Sequence, residues 1–198
     1  MAVAIALQTV LPTKLVLGPH LLLPALSTLL LVALVMLGPG RAATHHRHAR
    51  KVSLVLVVVV SAGNALSGVL LVEHILDGTI GNQAGPLLAS GASIYLTNIV
   101  VFSLWYWEID SGGPAARAAG ARHPDMMFPQ MANPELAPRD WEPTYVDYLY
   151  LSFTNATAFS PTDVMPLKVW AKLTMLVQSA VSLVLVALVV ARAVNILQ

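Results

Sequence analysis

Four stretches of apolar residues, each about as long as a membrane is thick, constrain this chain more than any other feature. They run from about Leu15 to Leu37, Val52 to Val72, Leu87 to Trp107 and Leu167 to about Val190. The second and third hold 21 residues each without a charge. Pro19, His20 and Pro24 interrupt the start of the first, and Lys168 and Lys172 fall in the first turns of the fourth. A helix rises 1.5 Å per residue, so about 20 apolar residues cross a ~30 Å hydrocarbon core. In lipid the backbone must satisfy its own hydrogen bonds, which leaves helices as the form for such stretches. The fold class expected is all-α: a polytopic transmembrane bundle of about four spans.

Composition supports lipid as the solvent. Charged residues make up 11% of the chain and hydrophobic ones 57%, whereas soluble domains carry roughly 25% charged residues. The formal charge of +1 gives no ground for a nucleic-acid partner. The absence of cysteine excludes disulfides and thiolate metal sites. Residues Met1 to Leu11 are apolar but lack the basic start of a signal peptide. They are too short to span and are expected to form a short amphipathic or half-inserted helix.

The connections differ in character and set the organisation. Residues 1–107 hold three spans, 108–142 an extramembrane loop and 143–198 the remainder. Arg41 to Lys51 reads as a basic, His-rich turn with four Lys or Arg, and Glu73 to Pro86 has none. Glu108 to Glu142 is rich in Pro, Gly and Ala, and sets Arg117, Arg122 and Arg139 against six carboxylates. No internal repeat appears, so an inverted-repeat transporter finds no support.

Tyr145 to Ala156 is too short to cross a membrane yet helical in pattern. Val146, Leu149, Tyr150 and Phe153 recur at i, i+3, i+4 and i+7, with Ser152 and Asn155 on another side. Twelve residues make ~18 Å of helix, about half the hydrocarbon thickness. A polar, Pro-containing segment, Thr157 to Thr162, precedes the last span. This order of half-helix, polar strand and full helix is the layout of a re-entrant loop. Irregular backbone at that depth persists only where protein or a water-filled cavity shields it.

The stretch Tyr150-Leu-Ser-Phe-Thr-Asn-Ala-Thr-Ala-Phe-Ser-Pro-Thr-Asp-Val-Met-Pro166 resembles the pore segment of tetrameric potassium channels, Y-F-S-F-T-T-L-T-T-V-G-Y-G-D-I-x-P, without a gap. Tyr150, Ser152, Phe153, Thr154, Thr157, Asp163 and Pro166 match. The likeness covers about fifty residues from Asp147 onward, and the helix ending Ala191-Arg192 resembles that family's inner helix. It implies a channel that is homo-oligomeric, a tetramer, passing monovalent cations. Its filter-like residues would be Thr157, Ala158, Phe159, Ser160, Pro161, Thr162 and Asp163. Gln178, Ser179 and Ser182 would line the pore from the last helix. Where the family has T-V-G-Y-G this chain has Ala158 to Thr162. Glycines permit the torsions that aim carbonyls inward, and proline fixes φ. The resemblance therefore implies a degenerate, non-potassium-selective pore loop.

Other readings of the same residues are local. Ser160-Pro161-Thr162-Asp163 also forms a capping box that would start the last helix, with Asp163 satisfying its free N–H groups. Thr144 and Asp147 are expected to cap the half-helix. Trp105, Tyr106 and Trp107 read as an interfacial aromatic belt. Asn64, Thr97 and Asn98 are expected to bond between spans, and the small residues around Asn64 to let helices approach closely. His45, His46 and His48 with Arg47 read as a basic loop facing anionic lipid, since adjacent imidazoles on a turn define no metal geometry. No catalytic constellation, metal site or cofactor is expected.

The expected location is the cell's inner membrane, multi-pass, with lipid and copies of the chain as partners. Counting Lys and Arg places Arg41 to Lys51 in the cytoplasm, and with four spans the re-entrant segment then lies on the cytoplasmic side. The channel resemblance implies entry from outside. A non-conducting scaffold or partner-binding protein is the alternative function, and a transporter or membrane enzyme has the least support.

Overall fold

The computed structural model describes residues 1–16, 21–37, 43–79, 83–120, 123–157 and 163–197, and side chains outside 33–48. Among the described residues eight helices run in order: α1 (Ala2–Val10), α2 (Leu22–Leu37), α3 (Ala43–Leu76), α4 (Ala84–Ile109), α5 (Pro114–Ala118), α6 (Pro129–Ala132), α7 (Tyr145–Thr157) and α8 (Val169–Leu197). A two-residue antiparallel ladder joins β1 (Met126–Met127) to β2 (Met165–Pro166), pairing Met126 with Pro166 and Met127 with Met165. The chain is an all-α bundle. Among the described residues three helices, within α3, α4 and α8, are long and apolar enough to cross a membrane.

The run Val55 to Val60 is β-branched at five of its six positions. Such a run favours strands in water, yet it lies inside α3. Removing water forces the intrahelical solution, because no solvent can hydrogen-bond an open strand edge. α3 holds 34 residues, about 51 Å of helix, and exceeds a ~30 Å core. The residues expected as a basic turn are helical from Ala43 onward.

The first expected span is shorter than its apolar stretch. Leu15 ends a 3₁₀ turn, Thr13–Leu15, and α2 starts only at Leu22. Pro24 is the third residue of α2, where its missing N–H has no intrahelical partner to lose. Started a turn or more earlier, the helix would need that donor. The 16 residues of α2 make about 24 Å, less than the ~30 Å core. The N-terminal segment is helical, as α1.

Two compact units divide the chain. The first comprises Met1–Val101 and Val184–Gln198. Its core joins Leu71, Leu87, Ile94, Leu185 and Val189 with Leu11 and Leu15. Glycine sets its tightest approaches. A Cβ on Gly91 would lie 2.8 and 2.9 Å from the Cγ atoms of Val189. One on Gly63 would lie 3.0 Å from Leu23 Cδ1 and 3.4 Å from Gln8 Nε2. Asn64 donates from Nδ2 to the Ile94 carbonyl at 3.2 Å, an interhelical bond of the kind expected in lipid.

The second unit comprises Phe102–Leu183. Its core packs Tyr106, Phe128, Tyr148, Leu151, Val164 and Met175. The described residues of 108–142, expected as a loop, form a folded cap of short helices tied to β2 through β1. A buried carboxylate organises it. Asp110 is fully buried, and its Oδ1 accepts from the Asp125 and Met126 N–H groups at 3.0 and 3.3 Å and from Ser111 Oγ at 3.1 Å. Its Oδ2 accepts from the Tyr148 hydroxyl at 2.5 Å. Ser111 adopts a left-handed conformation, φ 55°, which turns the chain back beneath α4, and its N–H donates to Asp125 Oδ2 at 3.1 Å.

Candidate functional site: the α7–α8 hairpin

The half-helix forms where the sequence places it. Thr144 begins it, and the Asp147 carboxylate accepts from the Thr144 N–H and from its Oγ1, each at 2.7 Å. This is the reciprocal half of a capping box, with an anion at the positive helix end. Thirteen residues later α7 stops at Thr157, giving about 20 Å of helix, well short of a ~30 Å core.

The orientation of α7 inverts what water would impose. Val146, Tyr150 and Phe153 of its apolar stripe are exposed, while Ser152 and Asn155 are buried. An apolar stripe turned outward, with the polar Ser152 and Asn155 turned inward beside Tyr148 and Leu151, is the arrangement that hydrocarbon favours, since a polar group facing lipid has no partner.

The buried polar side is fully engaged. Gln178 of α8 has no exposed surface. Its Oε1 accepts from the Tyr106 hydroxyl at 2.7 Å and from Asn155 Nδ2 at 2.8 Å. Its Nε2 donates to the Ser152 carbonyl at 2.9 Å and to Ser152 Oγ at 2.7 Å. An amide offers two acceptor sites and two donors, so this one is saturated. Asn155 Nδ2 also reaches the Met175 carbonyl at 2.9 Å. One side chain therefore ties α4, α7 and α8 together.

The end of α7 is capped from the side. Ser179 Oγ donates to the Asn155 carbonyl at 2.9 Å and lies 3.2 Å from Asn155 Oδ1. Thr157 Oγ1 donates to the Thr154 carbonyl at 2.8 Å. A helix end leaves four carbonyls without intrahelical partners, and these hydroxyls supply donors without water.

Of the expected filter-like residues, Ala158, Phe159, Ser160, Pro161 and Thr162 lie outside the described residues. Thr157 ends α7 and Asp163 is exposed. The capping box does not start the last helix: α8 begins at Val169, six residues beyond Asp163. Between them Met165 and Pro166 pair with β1, and the Leu167 N–H donates to the Asp125 carbonyl at 2.8 Å, so tertiary pairing holds this backbone extended.

Gln178, Ser179 and Ser182, expected to line a pore, face the interior of their own unit: Gln178 and Ser182 are fully buried and Ser179 partly so. Tyr106 departs from the expected belt, being buried and bonded to Gln178 rather than set at headgroup level. Trp107 meets Tyr148 edge-on, with ring centroids 5.5 Å apart.

Sequence reasoning also missed the lock beneath α4. Arg117 Nη1 donates to the Trp107 and Asp110 carbonyls at 2.9 and 2.8 Å. Its guanidinium lies 4.5 Å from the centre of the Trp107 ring and 5.1 Å from that of Tyr148. The cation thus satisfies the carbonyl end of α4 and stacks on two rings. Burial, and then the neighbouring Asp110 carboxylate, push the Tyr148 phenol above its ordinary range, so it stays a donor. The one signal in the sequence was an acidic residue directly before Ser111-Gly112-Gly113, a turn cluster at the end of a span.

Among the described residues no group of three His, Asp or Glu is arranged to hold a metal. His45, His46 and His48 have side chains outside the description. No protein-family model matches the chain, and no curated protein or solved structure matches it significantly.

Proposed function

We propose that this chain is a channel-like, multi-pass protein of the cell's inner membrane, homo-oligomeric, whose α7–α8 hairpin borders a path for monovalent cations. The observation that carries the reading is the capped end of α7. A helix of 13 residues, apolar outside and with the Thr154 and Asn155 carbonyls of its last turn taken by Thr157 and Ser179, suits a re-entrant element. Its carbonyl end carries a partial negative charge, and the exposed carboxylate of Asp163 adds another nearby in sequence. Both favour cations over anions. Only 22% of the most apolar stretch of α8 is buried, which leaves surface for lipid and for further copies. With Ala158 to Thr162 in place of a glycine-containing filter, the path is not selective for potassium.

The test is cation flux into liposomes carrying purified protein, with oligomeric state measured in detergent. Wild-type flux that discriminates poorly between potassium and sodium, and falls several-fold in Asp163→Asn, supports the reading. A monomer without flux overturns it.

A second reading, a non-conducting scaffold, draws on a specific observation: Asn155, Gln178 and Ser182 are all buried within their own chain. It expects Asp163→Asn to alter stability at most, with no transport phenotype.

A further inference from the structure

The surface of α8 marks its own membrane boundaries. From Leu173 to Val194 every exposed residue of the helix is apolar, and the next exposed polar one is Asn195. Those 22 residues make about 33 Å of helix, the thickness of a hydrocarbon core. Lys168 and Lys172, both exposed, therefore stand immediately outside it, at headgroup level. Trp170 between them is half-buried against the core of its unit, as an interfacial ring is.

Within the chain this lysine pair is unfavourable on two counts. Cations at the start of a helix oppose its dipole, and like charges four residues apart repel. No acidic residue occupies the first turn of α8, and neither lysine has an ion-pair partner among the described residues. Two positive charges held together at headgroup depth without an internal counter-charge are complementary to an external anion there. Lipid phosphate is the anion that depth provides.

The distribution of charge identifies the leaflet. Of eleven Lys and Arg, four lie in residues 41–51 and five in 117–172, whereas residues 73–86 hold none. The remaining two are Lys14 and Arg192. Such an excess marks the cytoplasmic face.

We propose that Lys168 and Lys172 bind the phosphate of an anionic phospholipid in the cytoplasmic leaflet, beside the mouth of the α7–α8 hairpin. The contact is independent of conduction, and its test needs no ion flux. Full-length protein is placed in nanodiscs of phosphatidylcholine alone or with phosphatidylglycerol, and its folding equilibrium is measured. Phosphatidylglycerol should shift the wild type roughly tenfold toward the folded state, K168R/K172R nearly as much, and K168Q/K172Q little. Equal gains in wild type and K168Q/K172Q, or no gain in wild type, overturn the proposal. So does an equal shift from inorganic phosphate added to phosphatidylcholine discs, which would assign the site to a soluble anion. Because the chain has no cysteine, Glu135→Cys supplies a single label on the same face. Impermeant maleimide should modify it in inverted vesicles and not in intact cells, and the reverse would place the pair in the outer leaflet.

Discussion

Gln178 Oε1 accepts the Asn155 amide at 2.8 Å, across 23 positions of sequence. The same oxygen takes the Tyr106 hydroxyl, so three helices share one atom. Gln178→Leu removes four hydrogen bonds and takes away the acceptor of the buried Tyr106 hydroxyl. The expected loss is about 2 kcal/mol, given the modest measured value of single bonds inside membrane bundles and the larger penalty of unpaired buried groups. Asn155→Leu should cost a similar amount. The double variant should cost clearly less than the two together, because both remove the same contact. Unfolding of the four proteins in one detergent checks this, and strictly additive losses would disprove the shared network.

Asp110 makes the stronger claim on stability. Its carboxylate accepts from Ser111, Asp125, Met126 and Tyr148, all donors. Asp110→Asn turns an NH₂ group toward one of them and loses the charge that strengthens the rest, an expected loss of about 3 kcal/mol. Tyr148→Phe removes one donor and leaves three, so about 1 kcal/mol is expected. Thermal unfolding should rank Asp110→Asn below Tyr148→Phe; the opposite order would mean that ring packing, not the carboxylate, holds the cap.

These two networks mark where sequence reasoning reached and where it stopped. Spans and half-helix were legible because hydropathy and the i, i+3, i+4 pattern of Val146 to Phe153 act locally. Which way that stripe faces was not, since in hydrocarbon the apolar side turns outward and the pattern alone carries no sign. Gln178 was singled out as polar in a span, but its partners lie on other helices, and only tertiary placement turns a pore-lining candidate into a buried tie. Asp110 and Arg117 lie in a stretch without periodicity, so beyond the turn signal of Ser111-Gly112-Gly113 nothing local announces a folded cap. Hydropathy puts the last span from Leu167, two residues before α8 begins, but the capping-box start fails for a related reason: the Ser160 to Asp163 signature is a valid local start, and pairing of Met165 and Pro166 with β1 overrides it.

The Tyr148 hydroxyl predicts an alkaline response. Burial and Asp110 raise its folded-state pKa above the ordinary 10.0. A raised value contributes stability that is fully present below pH 10 and is lost as pH climbs above it toward the folded value. Unfolding followed from pH 8 to above pH 10, an interval chosen around the phenol's ordinary value, should show a loss in wild type that is smaller in Tyr148→Phe. Identical slopes would exclude Tyr148 as the titrating group.

The closest approach of α4 and α8 within the first unit gives the sharpest steric prediction. A Cβ at Gly91 would sit 2.8 and 2.9 Å from both Cγ atoms of Val189, and a β-branched side chain in a helix has essentially one rotamer and little room to yield. Gly91→Ala should therefore force the helices apart and destabilise by about 1–3 kcal/mol, although alanine is the better helix former. Gly63→Ala is the control. Its nearest neighbour, 3.0 Å away, is the flexible end of Leu23, so a smaller loss is expected. Val189→Ala opens the space at Gly91, and adding it to Gly91→Ala should recover part of the stability although it deletes two methyl groups by itself. Unfolding of the single and double variants decides the matter. A Gly91→Ala protein as stable as wild type would show that α4 and α8 do not meet as closely as Gly91 and Val189 require.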